Sequence, residues 1–225
     1  MELVYNSLVN DANLVGYWRF EGNSTHQTQG PDGSDTAMNY VVGKFGQAAS
    51  FNGSSSQITL GTSINLGAGT SLTISMWVNV SSNADMTMLG QGDGGSNGTQ
   101  VKCGFRNSIG GDLTFSTYQT SGTQDINSSN GHTADSAWHF VVFTMNSADK
   151  VVNIYYDNVL DATGTLTLLP SFSGKTLSIG ALRSSNWYNR YIDDLAIFTR
   201  VLTTAEMTSL YNPQVVGGAA GFAFM

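Results

Sequence analysis

Hydrolysis of a glycosidic bond by retention needs two carboxyl groups about 5 Å apart, one as nucleophile and one as acid. The sequence holds three glutamates, Glu2, Glu21 and Glu206, scattered along the chain. No strand-like segment carries two carboxylates at alternate positions, the spacing that would set both on one face of a strand. The nearest aspartate pairs, Asp32/Asp35 and Asp157/Asp161, fall in a loop or across a turn. His26 and His132 lie in loop-like stretches, His139 lies in an apolar segment, and there is no nucleophile elbow. The lone Cys103, inside Val101-Lys102-Cys103-Gly104-Phe105, reads as a small packed thiol and excludes both an internal disulfide and a cysteine zinc site. These residues argue against an enzyme.

Binding a glycan asks for different parts: aromatic faces for sugar rings, with amides, carboxylates and guanidinium groups for hydroxyls. Arg183-Ser-Ser-Asn186-Trp187-Tyr188-Asn189-Arg190 gathers them in one polar segment. Trp77 joins them, because it stands opposite Leu72, Ile74, Met76, Val78 and Val80 in an alternating run. The candidate contact set is therefore Arg183, Asn186, Trp187, Tyr188, Arg190 and Trp77. The competing reading is that Trp187 and Tyr188 pack over the end of the fold or touch a neighbouring subunit. Tyr118, Asp125 and Asn127 form a second, sparser set.

Composition narrows the partners. Only 11% of residues are charged and the net charge is −7, without any acidic block. The nine Lys and Arg residues are dispersed and make no stripe for a phosphate backbone, so a nucleic-acid partner is excluded. No apolar run approaches the roughly 18 residues of a membrane span. The first residues, Met1-Glu2-Leu3-Val4, have no basic start, so no signal peptide is expected. The expected location is extracellular or on a particle surface, with a virion favoured.

The elements that must position these residues are strands. Period-two or continuous apolar runs recur between Gly, Asn and Ser clusters: 14–21, 48–51, 57–60, 72–80, 87–91, 99–105, 113–118, 138–145, 151–156, 159–163, 176–179 and 191–198. The run 138–145 is apolar on both faces, as a central covered strand should be. Asp157-Asn158 reads as a tight hairpin turn. The stretches 25–38 and 120–134 read as loops. One helix is expected after Thr203, with Glu206 completing a capping box and Pro213 stopping it. The fold class is thus all-β, a two-sheet antiparallel sandwich with one short C-terminal helix.

Several blocks, in order, resemble the laminin-G-like, concanavalin A-like jelly-roll family. They are Leu14-Val-Gly-Tyr-Trp-Arg-Phe-Glu-Gly-Asn, Gly43-Lys-Phe-Gly-Gln-Ala-Ala-Ser-Phe-Asn-Gly, Leu72-Thr-Ile-Ser-Met-Trp-Val, Ala137-Trp-His-Phe-Val-Val-Phe-Thr and Val152-Asn-Ile-Tyr-Tyr-Asp-Asn-Val. The last runs from Tyr191-Ile-Asp-Asp through Glu206-Met207. Asn158 stands where the family pattern has glycine. The resemblance implies a jelly roll over residues 12–212, after an arm at 1–11 and before an apolar glycine-rich tail at 213–225. It implies a glycan site on the concave face, and one structural Ca2+ held by Asp193 and Glu21 with the backbone of Gly53. Fold does not choose among the functions this architecture hosts. Three readings stand in order. The first is a non-catalytic surface module of a larger assembly, such as a phage decoration or tail protein, docking through its tail on other subunits and adhering to glycans. The second is a free or secreted lectin-like module, and the third a glycoside hydrolase.

Overall fold

The computed structural model describes residues 6–28, 30–66, 69–81, 84–92, 100–106, 111–119, 122–128, 131–132, 135–170, 174–182 and 186–213. After a 3-10 turn at Asn6–Asn10 come β1 (Leu14–Trp18), β2 (Ser34–Thr36), β3 (Asn39–Val42), β4 (Gln47–Asn52) and β5 (Gln57–Gly61). The chain continues through β6 (Leu72–Val80), β7 (Met86–Gly92), β8 (Gln100–Arg106), β9 (Asp112–Gln119) and β10 (Gly122–Asn127). It ends with β11 (Trp138–Met145), β12 (Val151–Tyr156), β13 (Val159–Thr165), β14 (Leu177–Ile179), β15 (Asn189–Phe198) and helix α1 (Thr204–Tyr211).

Two antiparallel sheets result. One has the order β13-β12-β11-β6-β15-β4-β3, with β1 also pairing β15; the other runs β10-β9-β8-β7-β14-β5-β2. The main core lies between them, built from inward side chains of both, among them Ile74, Met76, Val141, Phe143, Cys103, Phe105 and Phe115. Burial drives the thiol pKa of Cys103 well above its ordinary range, as for a packed, unreactive group.

The two-faced pattern of β11 has a clear cause. Val141, Phe143 and Met145 enter the main core, while Phe140 and Val142 enter a second cluster on the sheet's outer face. There α1 supplies Met207 and Leu210, and the N-terminal segment supplies Leu8 and Leu14. The helix starts as its sequence requires: Thr203 accepts from the Glu206 amide and Glu206 accepts from the Thr203 amide. Asp157 and Asn158 both adopt positive φ, 47° and 65°, the pair of angles a two-residue hairpin needs.

Two strands lie where loops were expected, and a third stands where no element was expected. β2 falls within 25–38, β10 falls within 120–134, and β3 follows closely after β2. Each is short or polar, and β2, β3 and β10 each sit at a sheet edge, so no apolar alternation marks them.

Candidate functional site

The outer face of the seven-stranded sheet holds the strongest constellation. Along β8, Val101, Cys103 and Phe105 enter the core, so Lys102, Gly104 and Arg106 point outward. Register then assembles rows of neighbours on that face. Gly90, Lys102, Ser116 and Asp125 make one row, while Thr87, Gly104, Thr114 and Asn127 make the next. Gln100, Tyr118 and Thr123 make a third. Every side chain in the three rows is polar.

Its charges are largely matched. Arg106 is paired with Asp125. Burial lowers the pKa of Lys102, and the carboxylates Asp85 and Asp125 partly offset that effect. Three oxygens are not matched. Thr87 Oγ1, Asp125 Oδ1 and Asn127 Oδ1 are buried and meet no hydrogen-bond donor. Leaving such a group unsatisfied costs about 1–3 kcal/mol, so three on one face are unusual. Gly104 lets β7 and the Lys102 side chain approach closely in the middle of its row. A Cβ there would lie 2.0 Å from the Met86 carbonyl oxygen and 2.9 Å from the Lys102 side chain.

The expected contact set divides. Asn186 is exposed, and its carbonyl accepts from the Thr87 amide at 2.8 Å, which seats it at the end of the Thr87–Asn127 row. Trp187 is half-buried beside it. Arg190 is half-buried too, but its Nε donates to Asn79 at 3.2 Å and its guanidinium lies over the Tyr191 ring at 5.0 Å. Arg183 lies outside the described residues. Tyr188 and Trp77 do not stand ready for a ligand. Tyr188 is 0% exposed, and its hydroxyl donates to the Asn79 carbonyl at 3.0 Å inside the core. Trp77 does face away from the main core, but α1 covers that face: Tyr211 stacks on the indole at 5.5 Å, with Phe45, Phe140 and Lys44 around it.

The residues expected to hold calcium also divide. Asp193 is fully buried; its Oδ2 accepts from the Phe45 amide at 2.9 Å, and its Oδ1 has no partner. Burial and the neighbouring Asp194 push its pKa up to about 8, the mark of a carboxylate short of positive charge. Glu21 accepts from the Gln47 amide at 3.0 Å, so both carboxylates converge on the turn at 43–47. Gly53 does not belong with them. Its amide donates to the Tyr188 carbonyl, and the pairing of β15 with β4 places Asp193 five residues further along, about 16 Å away. Among the described residues no three His, Cys, Asp or Glu side chains cluster to hold a metal. A cation at Asp193 and Glu21 would therefore depend on turn carbonyls, donors that calcium accepts.

The histidine side chains, among the described residues, hydrogen-bond to aspartates, and the Tyr156 ring stacks on His132 and His139. His26 meets Asp32, His132 meets Asp161 at 2.7 Å, and His139 meets Asp157 and Asp135. Glu21 and Glu206 belong to different environments, one at the 43–47 turn and the other at the helix cap.

Sequence reading missed Thr87, Lys102, Arg106, Thr114 and Ser116. Their signal was present as the polar half of the alternation in β7, β8 and β9, but alternation alone reads as an ordinary solvated face.

Comparison with known proteins gives the family. No curated protein sequence matches the chain. Domain 4 of AbnA, a GH43 extracellular arabinanase from Geobacillus stearothermophilus solved with arabinotriose, superposes with a TM-score of 0.75 at 20% identity, covering 88% of this chain and 98% of that one. The botulinum neurotoxin serotype D ligand-binding domain, solved with N-acetylneuraminic acid, has a TM-score of 0.69 at 16% identity over 91% of this chain. The binding domain of Paraclostridial Mosquitocidal Protein 1 has a TM-score of 0.67 at 20% identity over 89%. This chain spans 52% of the length of each of those two toxin domains. At such identities the likeness establishes the fold. The family model of the concanavalin A-like lectin/glucanases superfamily matches residues 52–208, most of the chain, and the protein belongs to that family.

Proposed function

We propose that this chain is a non-catalytic glycan-binding module whose site is the outer face of the seven-stranded sheet, beside Asn186 and Trp187. The observation that carries this reading is the accessible part of that polar face, where Arg106, Tyr118, Asp125 and Asn127 are half-buried along β8–β10 and Asn186 is exposed at the end of the Thr87 row. The carbohydrate ligands of the superposed arabinanase and neurotoxin domains support the same reading. Replacing Asn127 with alanine, or Lys102 with methionine, should weaken glycan binding by about tenfold or more, the equivalent of one good hydrogen bond. Titration calorimetry would check it. Unchanged affinity in both variants would place the ligand elsewhere.

The wider reading is a surface component of a larger assembly, outside the cell or on a virion. It is motivated by the segment 213–225, which is apolar, glycine-rich and uncharged. Light scattering should find the full chain multimeric and a chain ended after Asn212 monomeric. If both are monomeric, the free lectin-like module is the better account.

One structural Ca2+ at Asp193 and Glu21 completes the proposal. It would neutralise the charge excess there and tie the 43–47 turn to β15. Relative to chelator, millimolar calcium should raise Tm by at least about 3 °C, the shift made by roughly 1 kcal/mol in a domain of this size. Asp193→Asn should abolish that response. A wild-type Tm indifferent to calcium would dispose of the site.

A further inference from the structure

Away from the binding face, the histidines and Tyr156 form a polar cluster against the main core. Tyr156 closes β12, and His132 and His139 both stack on its ring. Their centroids lie 3.7 Å and 4.7 Å from it, with planes within 15° and 23°. Two rings that near to a third cannot share one of its faces, so the imidazoles enclose the phenol from opposite sides. His132 comes from the connection between β10 and β11, and His139 from β11 itself. Three carboxylates complete the cluster. Asp161 of β13 meets His132, while Asp157 of the hairpin turn and Asp135 before β11 meet His139.

The contacts of His139 call for its charged form. Nδ1 lies 2.8 Å from Asp157 Oδ2, and Nε2 lies 3.2 Å from both oxygens of Asp135. A neutral imidazole has one N–H, so one of these contacts would set a lone pair against a carboxylate. The imidazolium donates to both. His132 differs, since it presents Nε2 to Asp161 at 2.7 Å, a contact that the neutral ring also makes. Among the described residues no Lys or Arg pairs with Asp135 or Asp157, so His139 is the cation that balances them. The field around the stack is negative: burial, then Asp157, Asp135 and Asp161, raise the pKa of the Tyr156 hydroxyl above its ordinary range.

The two carboxylates on His139 are not held equally. Asp157 also accepts from the Phe140 amide at 2.9 Å and sits in the tight turn. Asp135 keeps 45% of its side-chain exposure, and its other donor is the Ala137 amide two residues along, at 2.8 Å. Asp135 is therefore the side that yields when the ring becomes neutral. Solvent has access from the hairpin, where a cavity of about 320 Å³ is lined by His132, Tyr156, Asp157, Val159, Leu160 and Asp161. We infer that His139 is a proton-operated clasp, which as imidazolium fastens the entry of β11 to the β12–β13 turn and on losing its proton releases Asp135. Histidine is the side chain whose charge changes between about pH 5 and 8, so such a clasp answers to ordinary changes of medium. It does not depend on what the protein binds.

Nitrogen NMR of the histidine rings in the full chain, followed from about pH 5.5 to 8.5, tests the clasp. At the acid end both ring nitrogens of His139 should carry hydrogen. As pH rises and one hydrogen is lost, exchange of the Ala137 amide should quicken about fivefold or more relative to that of Phe140, the equivalent of one hydrogen bond. Taking the ratio removes the general rise of exchange with pH. Asp135→Asn keeps an acceptor for Ala137 and can donate to a neutral imidazole, so the ratio should stay flat in that variant. Its His139 should also bind a proton about threefold or more weakly, the loss of one partly exposed charge pair. A His139 ring with a single N–H at every pH overturns the clasp. So does a flat ratio in the wild type, or an unchanged pH response in the Asp135 variant.

Discussion

Tyr188→Ala should unfold the protein far more readily while saying little about ligand recognition. The ring is wholly buried and meets Phe51 edge to face, with centroids 5.7 Å apart. Its hydroxyl donates to the Asn79 carbonyl at 3.0 Å, with the Tyr191 carbonyl 3.3 Å away, so it ties the start of β15 to the end of β6. Truncating a buried aromatic to alanine costs about 3–5 kcal/mol, through lost transfer energy and the cavity left behind. Most of the marginal stability of an ordinary domain is of that size. Tyr188→Phe isolates the hydroxyl and should cost about 1 kcal/mol. Trp187→Ala, next along the chain and half-buried, should cost much less than Tyr188→Ala. Urea unfolding at neutral pH measures all three. If Tyr188→Ala leaves the unfolding midpoint where it was, the ring is not the core element described here.

Tyr188 also shows why the fold was more legible than the site. A jelly roll repeats one physical demand, alternate apolar residues between two sheets, and β6, β11 and β12 announce it with no error in their limits. Strands at sheet edges escape this test: β2 and β10 have no fully buried residue and look like loops. The site obeys weaker rules. An aromatic, an amide and an arginine in a row satisfy the composition of a sugar contact, yet local sequence does not tell which of Trp187 and Tyr188 turns inward. Trp77 was correctly placed opposite the core-facing set, but only the packing of α1 reveals that its own face is covered. The face with Lys102, Thr114 and Ser116 requires register, since three strands must be aligned before its polar members become neighbours. Tyr118, Asp125 and Asn127, named in the sequence without partners, acquire their setting from that alignment.

A second large effect should appear at Arg200, where acid sensitivity has a local origin. Its Nη2 donates to Asp11 at 2.5 Å and to Glu206 at 2.6 Å, and its Nη1 donates to Glu206 at 2.8 Å. Glu206 is also the acceptor of the Thr203 amide at the start of α1, while Asp11 belongs to the segment entering β1. One guanidinium thus fastens the N-terminal segment, the exit of β15 and the helix that covers Trp77. The Arg200 hydrogen bonds hold the carboxyl pKa of both Asp11 and Glu206 at about 2. Unfolded, the same groups titrate near 4. Both folded values are depressed, so the stabilisation is fully present above about pH 5. It is lost as pH falls from there through 2. These side chains keep 15–30% of their exposure, and solvent screening reduces the gain. Arg200→Met should therefore cost about 2–4 kcal/mol at pH 7, and less as acid protonates both partners. Urea midpoints followed from pH 7 to 2.5 should fall steeply in the wild type and more gently in the variant, the two curves converging at the acid end. Parallel curves would mean that the Arg200 cluster stabilises by packing its long stem, and that acid acts on carboxylates elsewhere.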